Sequence, residues 1–148
     1  MAKQAPKKYK YTSEVERNEL FAICTTLNVF QFCMLLNNLF SIDLQGCKPV
    51  EMKIDERELS LHRYSAKSQS SLLTISVVEN KIGEGCLIDF YKNISFFVKI
   101  SPIVVESQVT DFWAALNSRD EFHFVQKIEI SNLTSTQQPK MLKFIQYL

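Results

Sequence analysis

Apolar residues recur along this chain with two periods, and the switches between them outline the elements. The run Leu20-Phe21-Ala22-Ile23-Cys24 is nearly continuous and rich in β-favouring types. It predicts a buried strand over 19–27, with a helix as the competing reading because a continuous apolar run does not settle the period. Asn28 then offers an N-cap oxygen, and Gln31 stands where a capping box places its partner. Val29, Phe32, Cys33, Leu36, Leu39 and Phe40 follow at the spacing of one helix face, which predicts a helix over 29–40.

Beyond the turn at 42–46, Val50, Met52 and Ile54 alternate with Glu51, Lys53 and Asp55 as in a half-buried strand. The polar tract 65–71 predicts the loop of a hairpin joining 59–64 to 72–78. Gly83 and Gly85 mark a turn over 80–85. Strands are predicted over 87–90 and 94–100, with Phe96, Val98 and Ile100 on one face. Ser101-Pro102 has the form of a helix start, with Ser as N-cap and Pro at the first helical position. Val105, Val109, Phe112, Trp113 and Leu116 form the stripe of a helix over 103–117. A strand over 122–130 and a short final strand over 141–148 complete the pattern. The fold class is therefore α+β: a mainly antiparallel sheet of five or six strands with two helices packed on one face.

Composition leaves that picture intact and locates one segment outside it. At 148 residues, a single domain can bury roughly 70% of its unfolded surface. The 46% hydrophobic and 22% charged content is that of a globular chain. Residues 1–13 read as a disordered basic arm, and 14–148 as a single domain. Net charge is +1, but Lys3, Lys7, Lys8 and Lys10 all fall in the arm, so the remainder is net acidic. The interleaving Lys7-Lys8-Tyr9-Lys10-Tyr11 suits salt-sensitive contact with nucleic acid, where lysines displace counterions and tyrosines stack on bases. The plainer reading is a solubilising tail.

Four cysteines without a Cys-x-x-Cys pair, and no apolar leader, point to reduced thiols in the cytoplasm, with Cys24 and Cys33 buried on core faces. Thr25, Thr26, Asn28, Gln31, Asn37 and Asn38 interrupt the apolar stretch 20–40, which argues against a membrane span.

Each reactive constellation has a blander counterpart. Cys86 with His62 or His123 has the residue types of a thiol nucleophile and its base, yet nothing in the spacing joins them. The two histidines lack metal-ligand spacing. Asp89 with Glu106 or Asp111 reads as solvated charge, and Gly83-x-Gly85 lacks the remainder of a phosphate loop. No catalytic, cofactor-binding or metal-binding residue is predicted.

The segment 86–100 carries one further signal. Its Ile88, Ile94 and Phe96 resemble the hydrophobic and aromatic positions of the IPExxxVDY family, small cytoplasmic bacterial proteins mostly without an assigned activity. Asp89, Phe90 and Ser95 stand where that signature has Pro, Glu and Asp. The resemblance extends, more loosely, over Leu20-Phe21-Ala22-Ile23, over Asn37 with Ile42-Asp43-Leu44, and over 125–144, where Ser135-Thr136-Gln137 lacks the family's basic residues. It implies a lineage and a fold rather than a reaction.

Together these readings predict a non-enzymatic interaction or accessory protein, self-associating as a homodimer or binding a protein partner. The alternative is a nucleic-acid accessory protein working through its arm. Phe90 and Ser95 are the expected interface, because loss of the family's acidic residues would leave an apolar outward side.

Overall fold

A six-stranded antiparallel sheet forms the middle layer of the molecule, and both of its faces are covered. The computed structural model describes residues 17–54, 56–69, 72–82 and 85–148. The strands are β1 (Glu19–Thr25), β2 (Gln45–Gly46), β5 (Arg63–Lys67), β6 (Thr74–Glu79), β9 (Phe96–Ser101) and β10 (Phe122–Ile128), in spatial order β10-β1-β9-β6-β5-β2. Between them in sequence lie β3 (Val50–Ile54) with β4 (Arg57–Leu61), and β7 (Lys81–Ile82) with β8 (Gly85–Cys86), each a separate two-stranded ribbon. Glu56 takes a left-handed conformation in the β3–β4 turn.

Alternation of side chains divides the core into two. Phe21 and Ile23 of β1, Ile75 and Val77 of β6, and Phe96, Val98 and Ile100 of β9 face one way. Leu20 and Ala22, Val78, and Phe97 face the other. The first face is covered by α1 (Val29–Phe40) and α2 (Glu106–Asn117), whose stripes bury Phe32, Leu36, Val109, Phe112 and Leu116. Rings dominate this layer: Phe32 stacks on Phe96 at 4.1 Å between centroids, and Phe40 on Phe112 at 4.2 Å. The α+β class, the six strands and the two helices on one face are all as the sequence predicts.

The second face has a different cover. It is built from the β3–β4 ribbon, the irregular segment 87–95, and a third helix, α3 (Gln137–Ile145). Here Phe144 meets the edge of Phe97 at 5.1 Å, and Lys143 Nζ donates to the Lys53 carbonyl at 2.8 Å. The predicted final strand over 141–148 is thus a helix. Met141 and Phe144, three apart, bury one side while Leu142 and Lys143 face out, a helical spacing that a short apolar tail conceals.

Three other boundaries shift. The predicted hairpin onto 72–78 forms through β5 and β6, but its first arm divides at His62, where β4 folds back on β3, and residues 65–67, read as loop, continue the strand. Ser101 ends β9 rather than capping a helix, and α2 begins at Glu106, where Gln108 Oε1 accepts the N–H groups of Val104 and Val105. The segment 87–90 is a bend entering a 3-10 turn (Asp89–Tyr91) rather than a strand.

Asn80 explains that last departure. Its side chain is fully buried and donates to the carbonyls of Tyr91 and Ile94 at 2.8 and 2.9 Å, while its Oδ1 accepts from Ile88 N–H at 2.9 Å. Its own N–H donates to the Ser95 carbonyl, and its carbonyl accepts from Leu87 N–H. One side chain therefore satisfies backbone groups that a ladder would otherwise have paired, which frees Leu87, Ile88 and Ile94 to pack on the sheet.

Candidate interaction surface

Two regions present large apolar side chains to the outside. The first lies along α1. The helix starts where the sequence places it, with Gln31 N–H donating to Asn28 Oδ1 at 2.8 Å and Asn28 N–H to Gln31 Oε1 at 3.0 Å. Phe32 and Leu36 face the sheet, leaving Phe30 and Met34, one turn apart, 72% and 49% exposed. With Val29, Cys33, Leu44 and Tyr64 they line a groove of about 350 Å³. Its far wall is fixed by Asn37, whose Oδ1 accepts the Leu44 N–H at 2.8 Å.

Two ionisable groups of the groove lining, Cys33 and Tyr64, are shifted away from their charged forms, and Asp43 adds a carboxylate to the same lining. Burial, with the negative charge of Glu79 adding to it, pushes the Cys33 thiol up to about 11. Burial also raises the Tyr64 phenol, helped by Cys33 and Glu79. The Glu79 carboxyl is raised by burial and partly drawn back by His62. A thiol so placed is protonated near neutrality and is a poor nucleophile. The chemistry on offer here is apolar contact.

The second region is the outer side of β10. Phe124 is 50% exposed on the α3 face of the strand, and Trp113 of α2 is 37% exposed on the other. Lys127 lies over the Trp113 ring, 5.6 Å from its centroid. A second hollow, of about 460 Å³, opens between α1, α2 and the start of β6, lined by Phe40, Ile75, Asp111 and Phe112 among others.

Residues singled out in the sequence fall elsewhere. Ser95 is only 9% exposed, and its hydroxyl donates to the Thr25 carbonyl at 2.8 Å and accepts the Thr25 N–H at 3.0 Å. The expectation that it faces outward is therefore overturned: both faces of the sheet are covered, so the side opposite Phe96 is interior too. Phe90 is half-buried, packed on Tyr91 at 5.1 Å with Lys140 Nζ 5.7 Å from its ring centroid. Lys7, Lys8, Tyr9, Lys10 and Tyr11 lie outside the described residues, as does Gly83.

The reactive constellations do not assemble. The Cys86 thiol reaches the Lys92 carbonyl at 3.8 Å, and among the described residues no hydrogen bond or ion pair joins it to His62 or His123. Asp89 pairs with Lys140 at 3.6 Å on the α3 side, whereas Glu106 pairs with Arg17 at 2.7 Å and belongs, with Asp111, to α2 across the sheet. Among the described residues no three metal-ligating side chains converge, and no helix is long and apolar enough to cross a membrane. All four cysteines are free, but Cys24 and Cys33 are half-buried rather than enclosed.

The exposed pair Phe30 and Met34 goes unmarked in the sequence reading, although both are apolar residues lying off the buried stripe of α1. Asn80 gave no signal beyond that of a turn residue.

Fold and surface define a three-layer α+β protein whose most distinctive exposed feature is apolar. Compared with known proteins, the chain matches no family model and no curated protein.

Proposed function

We propose that this is a small cytoplasmic, non-enzymatic interaction protein that self-associates or binds a protein partner, a divergent relative of the IPExxxVDY proteins. The observation that carries the reading is the Phe30–Met34 pair beside the groove lined by Cys33 and Tyr64. Exposed aromatic and thioether side chains on consecutive helical turns stabilise the free chain little and gain most when a partner covers them. Cys33 and Tyr64 in the groove lining are both shifted away from their charged forms, and with Asp43 as the one acidic residue among Val29, Phe30, Met34 and Leu44 the contact offered is mainly apolar.

The test compares capture from native lysate by the unsubstituted protein and by the Phe30→Glu/Met34→Glu variant, each with and without nuclease. The reading requires a partner that resists nuclease and is lost with the variant. Equal retention by both proteins would overturn it. A partner released by nuclease, and lost when residues 1–11 are deleted, would support the nucleic-acid reading of Lys7, Lys8, Tyr9, Lys10 and Tyr11 instead.

A further inference from the structure

The two edges of the central sheet are unlike. At one end β2 is two residues long, too short to template another strand. At the other, β10 runs for seven residues without proline, and no further described strand pairs with it. Long uncovered edges with apolar side chains are the sites at which sheets extend.

The outward backbone groups of β10 follow from the pairing of β1. Ile23 offers its carbonyl to Ser95 N–H, on the β9 side. Adjacent residues of an antiparallel strand point their N–H and C=O to opposite sides, so Leu20, Ala22 and Cys24 address β10. Their partners Ile128, Gln126 and Phe124 answer them, which leaves Val125 and Lys127 with N–H and C=O directed away from the sheet. His123 is the extra residue of a bulge, skipped between the pairs Cys24–Phe124 and Thr25–Phe122.

We propose that a second copy of this chain adds to this edge, β10 against β10, antiparallel about a two-fold axis at Gln126, giving one continuous sheet through both copies. This inference rests on the self-association branch of that reading and places the self-contact at β10, leaving the Phe30–Met34 groove of α1 to a different protein partner. Register selects the axis. Centred on Gln126, Val125 of each copy exchanges both of its bonds with Lys127 of the other, four main-chain bonds clear of the bulge. On one face Phe124 then stands across from Ile128, and at the ends His123 stands across from Glu129. Centring on Val125 would set His123 against Lys127 and draw the bulge into the ladder. Centring on Lys127 would oppose the two lysines directly, which is destabilising. The favoured register sets each residue against the same partner in both copies, as an isologous interface requires.

At the axis, the two Gln126 residues form a non-hydrogen-bonded pair with Cα atoms about 4.5 Å apart, within disulfide reach. The test is Gln126→Cys in the full chain, in a Cys24→Ser background because Cys24 lies diagonal to it on β1. Mild oxidation should convert most of the protein to a covalent dimer, against little for Cys24→Ser alone. In the unsubstituted protein, amide exchange at Val125 and Lys127 should slow as concentration rises, while Phe124 and Gln126 stay protected throughout. No cross-linking above background, or exchange at Val125 and Lys127 independent of concentration, overturns the proposal. If that protection is independent of concentration and vanishes on deletion of residues 1–16, the chain's own arm covers the edge and the proposal fails. A dimer by sedimentation without the cross-link would leave self-association standing and remove β10 as its seam. A monomer at every concentration would sink both.

Discussion

The two faces of the sheet carry cores of similar extent, built in different ways. Under α1 and α2, the cover is two amphipathic helices whose rings pack against those of β1 and β9. Under α3, the cover is a ribbon, a short helix and a stretch without regular structure, organised by one buried asparagine. The first layer depends on side-chain volume repeated at a period. The second depends on a polar group meeting several backbone atoms at once, so its stability is concentrated rather than spread.

The comparison can be broken most severely from the helical side. Phe32 is fully enclosed between Phe96 and Phe122. Phe32→Ala should cost about 3–5 kcal/mol, the range for deleting a buried ring. Chemical denaturation measures it, and a loss below about 1 kcal/mol would show this layer to be loosely packed.

On the other face, Asn80→Ala should cost about 2–4 kcal/mol although it removes little volume, because Ile88 N–H and two carbonyls lose their partner. Amide exchange should rise over 87–95 while α1 keeps its protection. A uniform rise across both layers would contradict the division drawn between them.

Ser95→Ala sharpens the point at lower cost. It strands the Thr25 N–H, and about 1–3 kcal/mol should be lost. No change in denaturation midpoint would mean that water enters the site, contrary to its burial.

A pH scan reads the Cys33 thiol of the groove. Cys33 is raised from 9.0 to about 11 in the folded chain, so between those values the folded state holds a proton that the unfolded state has released. Stability therefore falls as pH rises through that window, and Cys33→Ser should flatten the fall. In the native protein, alkylation of Cys33 should lag behind that of an unstructured cysteine until the pH nears 11.

The smallest effect belongs to the surface. Phe30→Glu with Met34→Glu should move stability by no more than about 0.5 kcal/mol per site, as exposed positions do. A larger loss would place these side chains in the core and remove the observation behind the proposed function.

Where the sequence was readable, a periodic signal was present. The Asn28–Gln31 box and the stripe through Phe32 and Leu36 marked α1 at the ends it has in the structure. Val50 and Met52 marked β3, and Phe96, Val98 and Ile100 shared a face as alternation requires. Readability failed where the next contact was distant. Ser101-Pro102 has the chemistry of a helix start, but Ser101 pairs with Thr74 at the end of β9. Ser95 looked outward only so long as one face of the sheet was taken to be bare.

By itself, the sequence determined the class of the fold, the two helices on one face and most strands of the sheet, because capping and hydrophobic period act within a few residues of each other. It also determined the basic character of the arm. Tertiary structure alone decided that α3 is a helix covering a second face, that Asn80 holds 87–95 in place, and that Ser95 belongs inside. Those outcomes turn on backbone groups and side chains brought together from positions far apart in the chain, and no local pattern records which of them will meet.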